Sequence, residues 1–176
     1  MEKINWVLDP THSELQFKVK HLMITTVTGG IKDFNATLIS ADDDFSNAEI
    51  EFEGKLESID TGTADRDAHL KSADFFDIEQ FPTLNFKSTS FSKNGDDIKI
   101  GGDLTIKGIT KSVTLNAELG GVATDPWGNT KAGFTFETRI NRTDFGLTWN
   151  SVLASGGVMV SEEVKILGEV QFVKQA

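Results

Sequence analysis

The 176-residue chain has no cysteine and no tyrosine, and its 17 basic residues are outnumbered by 27 acidic ones, giving a net charge of −10. Without thiols there can be no disulfide, thiolate nucleophile or cysteine-based zinc site, although the redox compartment stays open. The excess of acid would repel an extended phosphate backbone, and no basic cluster offsets it, so nucleic acid is not an expected partner. No run of about 20 apolar residues occurs to make a spanning helix. The opening MEKINWVLDPTHSELQF also lacks the apolar stretch of a signal peptide. The expectation is a soluble, acidic, cytoplasmic protein without stable membrane insertion, or a periplasmic one if a leader has been removed. Catalytic signatures are equally scarce. There is no G-x-S-x-G elbow, P-loop or G-x-G-x-x-G. Ser90-Phe91-Ser92-Lys93 matches S-x-x-K but lacks its partner motifs and is read as chance.

What is present is period two. Across 49–58, Ile50, Phe52, Gly54 and Leu56 alternate with Glu49, Glu51, Glu53, Lys55 and Glu57, placing apolar groups on one strand face and charges on the other. The same grammar runs through Leu15, Phe17 and Val19; Phe34, Ala36 and Leu38; Leu84 and Phe86; and Ile98, Ile100, Leu104 and Ile106. It continues through Val113, Leu115, Ala117 and Leu119; Phe134, Phe136 and Ile140; and Val164, Ile166, Gly168, Val170 and Phe172. Asp9-Pro10, Gly29-Gly30, Asn94-Gly95-Asp96 and Asp125-Pro126-Trp127-Gly128 read as turns between strands. About eight antiparallel strands follow, in one domain spanning 1–176. Only 63–74, with a short piece at 151–154, reads as helix, so the sheet must pack on another sheet or close on itself. With charge on the outer face, the interior is the greasy side.

The 13 phenylalanines, three tryptophans and absent tyrosine give that interior large apolar groups with no phenolic hydroxyl. Strand parity points Phe17, Phe34, Phe52, Phe86, Leu104, Ile106, Phe134, Phe136 and Phe172 inward. The stretch 151–161, with Met159, departs from alternation and suits a loop lining an entrance. On the helix, Asp65 and His69 share a face, as do Asp67 and Lys71. His12 and His21 would face opposite ways on a regular strand, and no helical histidine pair exists, so no metal or other cofactor is expected. Asp42, Asp43, Asp44, Ser46 and Glu53 echo a calcium loop, but Asn47 stands where glycine is required, and a solvated turn is the better reading.

Four motifs in order, Trp6-Val7-Leu8-Asp9-Pro10-Thr11-His12-Ser13, Arg66-Asp67-Ala68-His69-Leu70 with Asp74-Phe75-Phe76-Asp77 and Phe81-Pro82, Gly102-Asp103-Leu104-Thr105-Ile106-Lys107-Gly108, and Arg142-Thr143-Asp144-Phe145-Gly146-Leu147, closely resemble the YceI-like family. The resemblance implies an all-β, eight-stranded antiparallel lipocalin-like barrel with a short capping helix. It also implies a polyisoprenoid, isoprenoid quinone precursor or similar long-chain amphiphile as the lumen's partner, for storage or transport, and no catalysis. Under that reading the inward residues above, with Leu70, Phe75, Phe76 and Met159, contact the tail. Arg66, Asp67 and His69 form a wetter rim for the head group. Two rival readings remain: a cofactor-free enzyme using Asp65, Asp67 and His69, and a stress-response interaction module with a packed core. The sequence leaves a homodimer open.

Overall fold

The computed structural model describes residues 3–150 and 159–175. Among them, eleven strand segments form eight staves, because three staves are broken. The first stave is β1 (Ile4–Leu8) followed by β2 (Glu14–His21), both antiparallel to the same partner at the chain's end. The second is β3 (Thr25–Ile31) continued by β4 (Phe34–Ser40), and the third is β5 (Glu49–Lys55) continued by the two-residue β6 (Ile59–Asp60). Then come β7 (Thr83–Asn94), β8 (Asp97–Ile106), β9 (Ile109–Thr124), β10 (Thr130–Asn141) and β11 (Val160–Lys174). Each stave pairs antiparallel with the next, and β11 pairs back onto β1 and β2, so the sheet closes into an eight-stranded barrel. Closure removes every long sheet edge.

The breaks have local causes and lie side by side. Between β1 and β2, Pro10 lacks a donor, and Asp9 caps a single 3-10 turn by accepting from the Thr11 amide at 3.0 Å. Between β5 and β6, residues Leu56–Ser58 form a second 3-10 turn, so the strand read over 49–58 ends at Lys55. The Ser58 hydroxyl accepts from the Asp33 amide at 2.9 Å, joining this break to the one between β3 and β4. Leu56 and Ile59, buried at the bend, fill the space it makes.

Gly29 and Gly30, read as a turn, lie inside β3 opposite Phe17 and Gln16. The reason is packing: a Cβ on Gly29 would overlap the Phe17 ring, which lies across the strand. Gly168 serves Phe136 in the same way, where a Cβ would come within 2.6 Å of the ring. Glycine here makes room for an aromatic lumen.

The helix α1 (Ala64–Lys71) follows β6, and it is shorter than the expected 63–74. Ser72 leaves helical geometry, and the Phe76 and Ile78 amides donate to the Leu70 and Lys71 carbonyls at 3.0 and 3.1 Å, folding the chain back over the helix end. The expected helical piece at 151–154 lies outside the described residues. No helix among the described residues is long and apolar enough to cross a membrane.

Candidate functional site

The two ends of the barrel differ. At one end, the acidic run Asp42-Asp43-Asp44 holds a loop in place. Asp42 Oδ1 accepts from the Asp44 and Ser46 amides at 3.0 Å each, and these bonds, the Ser46 amide foremost, lower its pKa. Asp43 pairs with Lys174 at 2.8 Å and Asp44 with Lys93 at 2.9 Å. The solvated-turn reading holds, and the turn drives Phe45, at φ 62°, into the barrel end. There Phe45 is 1% exposed. Its ring lies 5.2 Å from both Trp6 and Phe134, and Phe134 meets Phe172 at 6.0 Å. This end is a packed aromatic floor.

Above the floor the lumen is an almost wholly apolar cavity of about 340 Å³. An apolar cavity of roughly 150 Å³ already holds a benzene-sized guest, so the volume is large enough to take a ligand. Phe134 and Phe172 lie toward the floor, with Phe34, Phe52, Phe86 and Leu104 along the staves, and all six line the cavity. Phe17, Phe136 and Ile106 line it too, as do Leu70 of α1, Phe75 and Phe76 of the segment after it, and Met159. Residues 151–158 of the expected entrance loop lie outside the described residues. Phe91 was not anticipated, since it breaks the parity of Phe86. A register shift between Ser88 and Ser90 turns the second half of β7 over and brings Phe91 into the lumen.

At the other end stand α1 and the polar groups. Arg66 donates from Nε to the Thr61 hydroxyl at 2.7 Å and from Nη2 to the Thr61 carbonyl at 2.6 Å. Asp67 accepts from the same residue's amide and hydroxyl at 2.8 and 2.6 Å. These adjacent side chains together grip Thr61, tying α1 to the third stave. Arg66 and His69 line the cavity, whereas Asp67 does not. His69 pairs with Asp74 at 2.9 Å, not with Asp65, and Lys71 reaches Glu57 at 3.5 Å, not Asp67. Asp65, Asp67 and His69 therefore do not converge on one reacting point. Asp67 and His69 have partners, Thr61 and Asp74, set by the loops that wrap the helix, which helical spacing alone does not reveal.

Two further residues complete this end. Trp149 stacks edge-on with His69 at 4.8 Å and tilted against Phe75 at 5.4 Å, forming an aromatic wall of the lumen. Arg142 is 4% exposed and donates to four backbone carbonyls: Leu147, Trp149, Val160 and Ser161. Burial pulls its pKa down, opposed by the charge of Glu162. Its position was readable, since Arg142 continues the inward parity of Phe134, Phe136, Thr138 and Ile140. Among the described residues, Lys20, Arg66 and Arg142 are the cationic residues of the lining, with His21 and His69 beside them, and no Asp or Glu joins them. Among the described residues, no cluster of His, Asp and Glu could hold a metal ion.

A floored apolar barrel with its polar groups at the helix end is the setting in which the chain's relatives can be compared. Residues 6–172 match the model of the YceI-like domain. The chain belongs to the YceI-like family. It is 38% identical over 164 residues to the protein YceI of Salmonella newport (strain SL254), covering 93% of this chain and 83% of the relative. The YceI protein of Campylobacter jejuni superposes with a TM-score of 0.76 at 32% identity, over 89% of this chain and 90% of that one. BcnA of Burkholderia cenocepacia does so at 0.79 and 21% identity, over 93% and 98%. A polyisoprenoid-binding domain of Saccharophagus degradans does so at 0.69 and 17%, over 97% and 98%. The last two likenesses are of fold.

Proposed function

We propose that this YceI-like barrel binds a long-chain isoprenoid, an isoprenoid quinone precursor or a comparable amphiphile, for storage or transport. The tail lies along the lumen and the head group sits at the helix end. The observation that carries this reading is the apolar cavity of about 340 Å³, floored by aromatics and with the cationic residues of its lining at the other end. A packed interaction module would leave no such space. A five-carbon isoprene unit, at about 0.8 kcal/mol per buried carbon, contributes roughly 3 to 4 kcal/mol before ordering costs, so a few units give useful affinity without polar contacts along the tail. Phe17, Phe52 and Phe136 contact the tail, and Arg66 and His69 face the head group. Because Arg66 and His69 border the lumen without a carboxylate, the head group that fits is rich in hydrogen-bond acceptors. The fold of the Saccharophagus degradans polyisoprenoid-binding domain supports the reading. Non-convergence of Asp65, Asp67 and His69 favours binding over turnover.

The test is native mass spectrometry of freshly purified protein followed by organic extraction. The expected result is a one-to-one adduct that extracts as a prenyl-chain compound. Protein that is ligand-free after mild purification and takes up no prenyl chain when offered one contradicts the proposal.

A further inference from the structure

The hairpin joining β2 to β3 has turn chemistry at odds with its geometry. The Ile24 amide donates to the His21 carbonyl at 3.2 Å, closing a turn whose central residues, Leu22 and Met23, have φ of 56° and 60°. Two consecutive left-handed residues normally demand Asn-Gly or Asp-Gly, because bulky side chains crowd the backbone there. At the same end of the barrel, the β8–β9 hairpin obeys that rule with Gly108 at φ 75° after Lys107 at φ 53°. The β2–β3 tip instead keeps large apolar groups and leaves them in solvent, with Met23 56% and Ile24 79% exposed. Backbone strain combined with apolar exposure is retained where the tip has something to enter.

Its surroundings identify the occupant. In a chain of net charge −10, residues 15–32 hold Lys18, Lys20 and Lys32 and no acid. Lys18 and Lys20 lie opposite Thr28 and Thr26 across the hairpin, so its outer face carries positive and neutral groups only. Of the two acids on the flanking stretch of β11, Glu163 is paired with Arg139 at 3.3 Å and the charge of Glu162 acts on Arg142. The tip is also joined to the lumen, since the Leu22 amide donates to the Met159 carbonyl at 2.8 Å, and Met159, His21 and Lys20 line the cavity. An apolar tip with cationic shoulders matches the boundary of a bilayer that carries anionic head groups, where the apolar groups enter the acyl layer and the lysines stay with phosphates. We propose that the Met23–Ile24 tip docks this barrel, helix end first, onto an anionic lipid bilayer, bringing the lumen to the surface from which an amphiphile is collected or to which it is delivered. The reason for docking rests on the lumen reading above; the docking itself does not.

The experiment is co-sedimentation with phosphatidylglycerol–phosphatidylcholine vesicles and with pure phosphatidylcholine vesicles. Wild-type protein should partition onto the anionic vesicles and much less onto the neutral ones, and Lys18→Glu with Lys20→Glu should abolish the difference. Met23→Asn with Ile24→Asp should lower partitioning by roughly ten-fold or more, since two buried apolar groups are lost. The same double variant should unfold at no lower temperature than wild type, because asparagine tolerates the left-handed geometry of position 23 and Ile24 is 79% exposed, and should titrate prenyl chains as wild type does. Trp127→Ala, at the opposite end, should change nothing. Absence of wild-type partitioning, or partitioning that the tip variant leaves intact, overturns docking. So does a tip variant that only converts a dimer to a monomer, which would make a second copy the occupant. Failure of the lumen reading would appear separately, as prenyl titrations flat with chain length while the vesicle results stand.

Discussion

The floor and the helix end of the barrel are built from the same residue types arranged to opposite effect. At the floor, charged side chains stay outside and hold a loop whose one large apolar residue, Phe45, is buried against Trp6 and Phe134. At the helix end, Arg66 and Arg142 donate to backbone carbonyls and a hydroxyl beside an aromatic wall of Phe75 and Trp149 that lines the cavity. Charge serves scaffolding at both ends, but in the proposed reading the floor excludes a ligand and the helix end admits one. An apolar barrel therefore acquires direction from how its ends are closed.

Removing the floor should have the largest effect. Phe45→Ala deletes a fully buried ring and should cost about 3 to 5 kcal/mol in urea unfolding. If the protein still folds, it should also prefer longer prenyl chains, because the lumen then extends toward Trp6. At the opposite end, Arg142→Met removes a donor from four carbonyls, that of Leu147 buried and the others part-buried, and should cost about 2 to 4 kcal/mol, read by the same unfolding curves. Arg66→Ala sharpens the comparison further. Losing the two bonds to Thr61 should cost about 1 to 2 kcal/mol of stability. It should weaken all prenyl ligands by a similar factor, leaving the dependence on chain length unchanged in isothermal titration.

The smallest effect concerns pH. Asp9, hydrogen-bonded at 2.8 Å to His12 and also to Thr11, has its pKa lowered from 3.8 to about 2. A carboxylate with a depressed folded-state pKa stabilises the fold above its unfolded value and loses that contribution as pH falls through the folded one. Stability should therefore drop between about pH 4 and pH 2, by on the order of 1 kcal/mol given that His12 is exposed. Asp9→Asn should remove this part of the acid transition.

Much of the barrel was legible because a half-buried strand writes its orientation into alternate residues, as in β5, β8 and β10. The staves' breaks were less so. Gly29-Gly30 carries the composition of a turn, and only the Phe17 ring lying across it explains why it is strand. The lumen phenylalanines could be read from parity until a register shift inverted it at Phe91. Phe45 was hidden because an acidic run predicts solvent, whereas here the acids are the struts that push their neighbour inward. Arg142 sat on an inward parity, but a charge among apolar neighbours gives no hint that four carbonyls await it. The partners of Asp67 and His69 depend on Thr61 and Asp74, which the loops bring to the helix and its periodicity does not.

The central claim, a lumen that takes an apolar tail from the helix end, is tested most directly by titrating prenyl alcohols of increasing length while following Trp149 fluorescence. Trp149 lines the cavity beside His69 and Phe75, and a Trp127→Phe background removes the 83% exposed tryptophan at the far end. The account predicts affinity that rises with each isoprene unit until the tail meets Phe134 and Phe172, and is flat beyond. Affinity independent of length, or binding abolished by Arg66→Ala at every length, would contradict it.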